Sequence, residues 1–197
     1  MKEKIKEIAK VLVVATLGLA LVGCKENKKE QTDNGNVMGV YAEEIKKWLD
    51  ENDDRFIGIR GGQLGDVNND GVDDVYVAFQ EDEGKTEILF VKAGDSVKII
   101  YGQDDPDVYK DKSGNSYVVV KGFETNRYGN EMHAFCFDKK GKYKEQLDFD
   151  SYVDFREYAE ENGVEQVDIE FGEYVYLKKD TSECSKEVIE EWLKGMK

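Results

Sequence analysis

Leu64-Gly65-Asp66-Val67-Asn68-Asn69-Asp70-Gly71-Val72-Asp73-Asp74-Val75-Tyr76-Val77-Ala78-Phe79 holds a strand end, a reversal and a second strand in sixteen residues. Val75, Val77 and Phe79 alternate with Tyr76 and Ala78, the period of two expected of a half-buried strand. Upstream, residues 56–65 read as another strand running into a glycine-rich turn. The reversal between them, residues 66–74, fits D-x-N-x-D-G-x-x-D. Calcium takes about six to eight oxygens at roughly 2.3–2.6 Å, so a short loop must aim several inward at once. Asp66, Asn68 and Asp70 do this from alternate positions, and Gly71 permits the sharp reversal. Val72 adds its backbone carbonyl while its side chain anchors the loop on the core, and Asp74 closes the shell. The twelfth position, where an EF-hand carries a bidentate Glu, is Val77 inside a strand, so the EF-hand reading fails. A metal-free Asx turn competes for the same residues, because Asn, Asp and Gly favour turns in any case.

The remaining chain sorts itself around this hairpin. Tyr41, Ile45, Trp48 and Leu49 recur at the spacing of an amphipathic helix that ends in the acidic residues 50–54. Residues 86–92 and 96–102 continue as strands, followed by 108–110, 117–123, 131–137 and 143–149, with glycines in the turns between them. Residues 152–162 read as a helix and 166–179 as one long or bent strand. Ser185 caps a last helix carrying Val188, Ile189, Trp192 and Leu193. The expected fold is α+β, an antiparallel β-meander sheet flanked by N- and C-terminal helices, with Trp48 and Trp192 in its core.

The N-terminus is a different kind of segment. Lys2, Lys4, Lys6 and Lys10 precede thirteen mostly apolar residues, 11–23, a stretch too short to span a bilayer stably. Leu21-Val22-Gly23-Cys24 resembles the lipobox of bacterial lipoproteins. That resemblance implies removal of residues 1–23, lipidation of Cys24 and attachment to the extracytoplasmic face of the cell membrane. Two acyl chains anchor a protein stably where one binds only marginally. Residues 24–36 then form the lipidated cysteine and a polar tether, and 37–197 a single domain.

The whole chain carries 28 basic and 43 acidic residues, net −15; residues 1–23 hold four Lys and two Glu, so the remaining 174 stand at −17. Such a surface repels nucleic acid and anionic headgroups and suits divalent cations or a basic partner. Spacing leaves open whether Cys136 and Cys184 pair. His133 is the one histidine, and three residues along a strand place it on the opposite face from Cys136, against a nucleophile–base pair. Phosphate-loop, nucleophile-elbow and HExxH motifs do not occur.

Residues 64–79 resemble the calcium loop of FG-GAP/VCBS repeats, the strand–loop–strand units of integrin-like β-propellers. The resemblance implies a propeller-blade-like hairpin braced by Ca²⁺ on Asp66, Asn68, Asp70, Val72 and Asp74. It covers this segment alone, with no second copy evident, and a closed propeller of four blades would need more chain. Two functions follow as expectations. The first is a non-catalytic surface module that binds a protein, glycan or cell-wall component, with eleven tyrosines available for a binding face. The alternative is a Ca²⁺-dependent hydrolase of envelope or extracellular substrates, for which a cleft of converging carboxylates away from the loop would speak.

Overall fold

The computed structural model describes residues 34–103, 105–126 and 129–196; the lipobox, the signal segment and most of the tether lie outside them. The described residues begin with α1 (Asn34–Glu51), then a first meander of β1 (Gly58–Gly65), β2 (Asp74–Glu81), β3 (Gly84–Ala93) and β4 (Ser96–Ile100). A second meander follows, β5 (Asp107–Lys110), β6 (Ser116–Asn126), β7 (Gly129–Phe137) and β8 (Tyr143–Phe149). After α2 (Tyr152–Asn162) come β9 (Glu165–Val167), β10 (Val175–Asp180), a 3₁₀ turn (Thr181–Glu183) and α3 (Lys186–Lys194). The α+β class with meandering antiparallel strands and helices at both ends is therefore as the sequence indicates. Helix α1 starts at Asn34, so its first turn takes in residues that read as tether.

The strands divide between two sheets, β10-β1-β2-β3-β4 and β8-β7-β6-β5-β9, with every pairing antiparallel. The two sheets share one plan: a four-strand meander whose first strand gains a late-arriving neighbour. Side-chain parity then builds four layers. Ile88 and Phe90 of β3 join Val75, Val77 and Phe79 against Tyr41, Ile45 and Leu49 of α1 and Ile189 and Leu193 of α3. The alternate residues Leu89, Val91 and Ala93 meet Val118, Val120, Phe135 and Phe137 of the second sheet. That sheet's other face, with Val119, Ala134 and Cys136, is covered by Phe155 and Ala159 of α2.

This layering corrects the half-buried reading of β2. Val75, Val77 and Phe79 do share one face, but Tyr76 and Ala78 on the other are 8% and 1% exposed, because a helix layer lies on one side and a second sheet on the other. The long strand expected over 166–179 is two strands in different sheets: β9 pairs with β5 and β10 with β1. Between them the chain must pass from sheet to sheet, and the Gly172 N–H donates to the Leu64 carbonyl (2.7 Å) on the way. Ser185 caps α3 as expected, its hydroxyl accepting from the Val188 N–H at 3.3 Å. Ser151 caps α2 in the same way through the Asp154 N–H. Cys136 and Cys184 are free thiols buried in separate cores, one under α2 and the other among the α1–α3 residues.

Candidate functional site

The Asp66 loop leaves β1 at Gly65 and re-enters the sheet at Asp74, which pairs with Gly65 across the ladder. Two left-handed residues, Asn69 (φ 60°) and Gly71 (φ 85°), turn the chain sharply enough for its side chains to fold back on its own N–H groups. The Asp66 carboxylate accepts from Asp70 N–H at 3.1 Å and Gly71 N–H at 2.9 Å. Asn68 Oδ1 accepts from Asp70 N–H at 3.2 Å, and Asp70 Oδ1 from Val72 N–H at 2.8 Å. Asn68 is fully buried; its amide donates to the carbonyls of Lys92 (2.5 Å) and Gly141 (3.3 Å), and its own carbonyl accepts from Ser116 Oγ at 3.0 Å.

Asp74, also fully buried, staples three elements together. Its Oδ1 accepts from the Tyr41 hydroxyl of α1 (2.9 Å) and the Lys92 N–H of β3 (2.8 Å), and its Oδ2 from the Val67 N–H (3.0 Å). The loop's apolar anchor is Val67, wholly buried between the sheets; Val72, expected in that role, is half-buried. Burial pushes the Asp74 carboxyl well up, against the pull of its three donors, and Asp70 adds repulsion. Burial raises Asp70 too, with the Asp66 charge adding to it while the Val72 N–H and the Lys92 charge oppose.

These residues fit the cation the loop pattern implies. Asp66 spends one N–H contact on each carboxylate oxygen, and Asp70 Oδ2 has only the long 3.5 Å approach of the Asn68 amide, so lone pairs remain for a cation. Repulsion between neighbouring carboxylates is what a divalent ion relieves. Asp74 differs from the other two. With three donors already on it, it acts first as a structural staple.

A neighbour the sequence did not indicate closes over the loop. The β7–β8 turn brings Gly141 (φ 74°) so near that a Cβ there would lie 2.4 Å from Asp70 Cβ and Oδ2. That turn is itself an Asx turn, Asp138 Oδ1 accepting from Lys140 N–H (2.8 Å) and Lys142 N–H (3.1 Å). The β5–β6 turn, in the position topologically equivalent to the Asp66 loop, closes on Asp111, whose Oδ1 accepts from Ser113 N–H (2.8 Å) and Asn115 N–H (2.9 Å). The second meander thus repeats the first in strand plan, with a shorter turn in place of the acidic loop.

A cleft of about 410 Å³ opens beside the loop, on the face of the first sheet that packs against the second. Its floor comes from Gln63 and Tyr76, partners across the β1–β2 ladder one pair beyond the Leu64–Val75 step from the loop. Phe171, Tyr174 and Tyr176 form an aromatic wall, the two tyrosine rings edge to face at 5.0 Å and Phe171 at 5.9 Å from Tyr76. Gly61 makes room for that wall, since a Cβ there would meet the Tyr174 ring at 2.8 Å. Arg60, Lys85, Glu87 and Asp105 supply the charge. The Tyr76 hydroxyl donates to Asp105 at 2.7 Å, and Lys85 pairs with Glu87. Burial, then the Asp105 contact, raises the Tyr76 hydroxyl far above its ordinary range.

Compared with protein-family models, curated proteins and solved structures, the chain matches none. His133 sits on β7 with Nδ1 2.7 Å from Asp148 Oδ1, away from the cleft lining. Cys136 projects to the opposite face of that strand, into the core under α2, where burial pushes its thiol up to about 12. A single strand over 166–179 does not bring out the aromatic wall; Tyr174 and Tyr176 border the first sheet only because β10 belongs to it.

Proposed function

We propose that this chain is a lipid-anchored extracytoplasmic binding module whose acidic loop holds Ca²⁺ and frames an aromatic cleft. The observation that carries the reading is the cleft itself. Tyr76, Phe171, Tyr174 and Tyr176 line it, while its carboxylates are tied to neighbours, Asp105 to Tyr76 and Glu87 to Lys85. Such a wall offers rigid contact area with hydroxyl tips, a surface for holding a ligand. In this reading Cys24 carries the lipid, and the −17 charge of the remaining chain keeps the domain off anionic lipid. Asp66, Asn68 and Asp70, with the Val72 carbonyl and Asp74 behind them, hold the ion. Calcium takes more oxygens than these carboxylates supply, so Asn68, the Val72 carbonyl and water complete its shell. The ion's role is mechanical. It locks the β1–β2 reversal and with it the Gln63–Tyr76 pair on the cleft floor.

The test has two arms. Cys24→Ser is expected to move the protein from the detergent phase to the aqueous phase; unchanged partitioning removes the anchor. The wild-type chain is expected to retain envelope material that Tyr176→Ala does not. Equal retention by both would show that the cleft is not the binding face.

A further inference from the structure

Three hollows meet at Asp105: the 410 Å³ cleft, a 140 Å³ hollow and a 360 Å³ hollow over the second sheet. The first two also share Tyr76, Lys85 and Glu87, so they are two halves of one trough separated by a charged ridge. An aromatic pair stands at each half. Tyr174 and Tyr176 stand at one, with Tyr176 58% exposed. At the other, Tyr101 and Phe123 lie 5.7 Å apart and are 49% and 51% exposed.

We infer that this trough is an extended site for an uncharged oligosaccharide, the aromatic pairs stacking on sugar rings at its two ends and the ridge taking the hydroxyls between. The inference rests on the binding-module reading and names its ligand class. Three observations select that class. The charges of the trough balance in number, Lys85 and Arg60 against Glu87 and Asp105, and Lys85 is already paired with Glu87, so a ligand with its own charge gains little net attraction for the hydration it loses. Paired carboxylates keep lone pairs for ligand hydroxyls, and Arg60 keeps donors, so the polar middle of a sugar chain is matched on both counts. Polyanionic glycans are further disfavoured by the net charge.

The trough floor consists of side chains from β1, β2 and β3, which are interior strands with backbone paired on both sides. An extended peptide lying on that floor therefore finds no open edge to add to; the nearest edge strand, β10, lies in the wall with Tyr176. Paired aromatics at both ends of a polar ridge instead match the alternation of C–H faces and hydroxyl edges along a sugar chain, with ring–ligand contacts adding to simple area burial.

The test titrates the full chain in detergent micelles with cellohexaose, mannohexaose and hexa-N-acetylchitohexaose, using hexagalacturonate as the anionic comparison, by calorimetry. At least one neutral hexasaccharide is expected to bind. Tyr176→Ala and the double variant Tyr101→Ala with Phe123→Ala should each weaken it about tenfold. All three side chains are about half exposed, so the variants keep the core, and circular dichroism verifies this. The disaccharide of the same sugar should respond to only one of the two variants. Hexasaccharide affinity indifferent to both variants, or binding of hexagalacturonate alone, overturns the inference. Envelope material retained through Tyr176 with no neutral hexasaccharide binding overturns the sugar class and leaves the binding module standing. Loss of both removes the module as well.

Discussion

Replacing Asp74 with alanine deletes the staple that holds α1, β3 and the acidic loop in register. The carboxylate is fully buried and receives the Tyr41 hydroxyl, the Lys92 N–H and the Val67 N–H. In its absence Lys92 N–H keeps the Tyr41 oxygen at 3.0 Å, but the Tyr41 hydroxyl and the Val67 N–H lose their acceptor. Each orphaned buried donor costs about 1–3 kcal/mol, so the loss is about 2–6 kcal/mol, against a domain stability of about 5–15 kcal/mol. Removing the carboxylate also removes its own burial cost, which pushes its pKa up. The two donors left behind decide the sign as a loss. Asp74→Asn keeps one acceptor but turns an amide N–H₂ toward a donor, and should fall between alanine and wild type. Urea titrations followed by the fluorescence of Trp48 and Trp192, both packed in the helix-side core, give the midpoint and slope. The measurement is made in EGTA, so that the staple is weighed without the ion. A loss under 1 kcal/mol at unchanged slope would refute the staple.

The loop, the turn that covers it and its counterpart in the second meander give three more tests. With free calcium a hundredfold above its dissociation constant, the ion adds about 2.7 kcal/mol, roughly 5–11 °C in melting temperature for a domain of this size. EGTA should remove that increment from the wild type and change nothing in Asp66→Ala with Asp70→Ala; a wild-type melt indifferent to EGTA ends the calcium reading. Gly141→Ala places a Cβ 2.4 Å from Asp70 at φ 74°, whereas Gly114→Ala at φ 84° meets only Lys139 at 3.6 Å. Calorimetry should therefore show weaker calcium binding in the Gly141 variant alone, and equal effects would separate the turn from the site. Burial raises the Asp111 carboxyl, but the Asn115 side chain and the Asn115 and Ser113 N–H groups together bring it below its ordinary value. A depressed folded pKa contributes stability above the unfolded value near 3.9 that is lost as pH falls through the folded one. The melting gap between wild type and Asp111→Ala should thus be open at pH 7 and close under strong acid, and a constant gap would assign it to packing.

Strand identity was legible because it depends on local alternation, and sheet membership was not because it depends on what covers each face. Residues 74–79 illustrate the difference: their parity is plain in the sequence, yet only the second sheet explains why Tyr76 and Ala78 are buried. Strand β3 carried a signal that periodicity alone does not interpret. Along one face it reads Lys85, Glu87, Leu89, Val91, and that switch from charged to apolar marks where the cleft ends and the inter-sheet core begins. The loop's own turn chemistry was readable from Asp66 to Gly71, since those contacts span a few residues. Its roof, Gly141, comes from the other meander, and no local pattern connects the two. The cleft's wall has no local signature for the same reason, as Tyr174 is separated from Arg60 by more than a hundred residues.

Loop and cleft belong to one device because of how β1 and β2 register. Gly65 faces Asp74, Leu64 faces Val75 and Gln63 faces Tyr76, so two steps along the ladder connect the acidic reversal to the cleft floor. A one-residue slip of that hairpin would turn Tyr76 toward the helices and Val75 toward the cleft, since strand side chains alternate. Three contacts oppose the slip: the Asp74 staple, the burial of Asn68 against Lys92 and Gly141, and the seating of Val67 between the sheets. The second meander keeps the same strands with only the short Asp111 turn, and the cleft of aromatic side chains lies on the first. The long acidic loop therefore stands in the meander whose register the cleft depends on. A bound ion there would act on the ligand through register, without touching it.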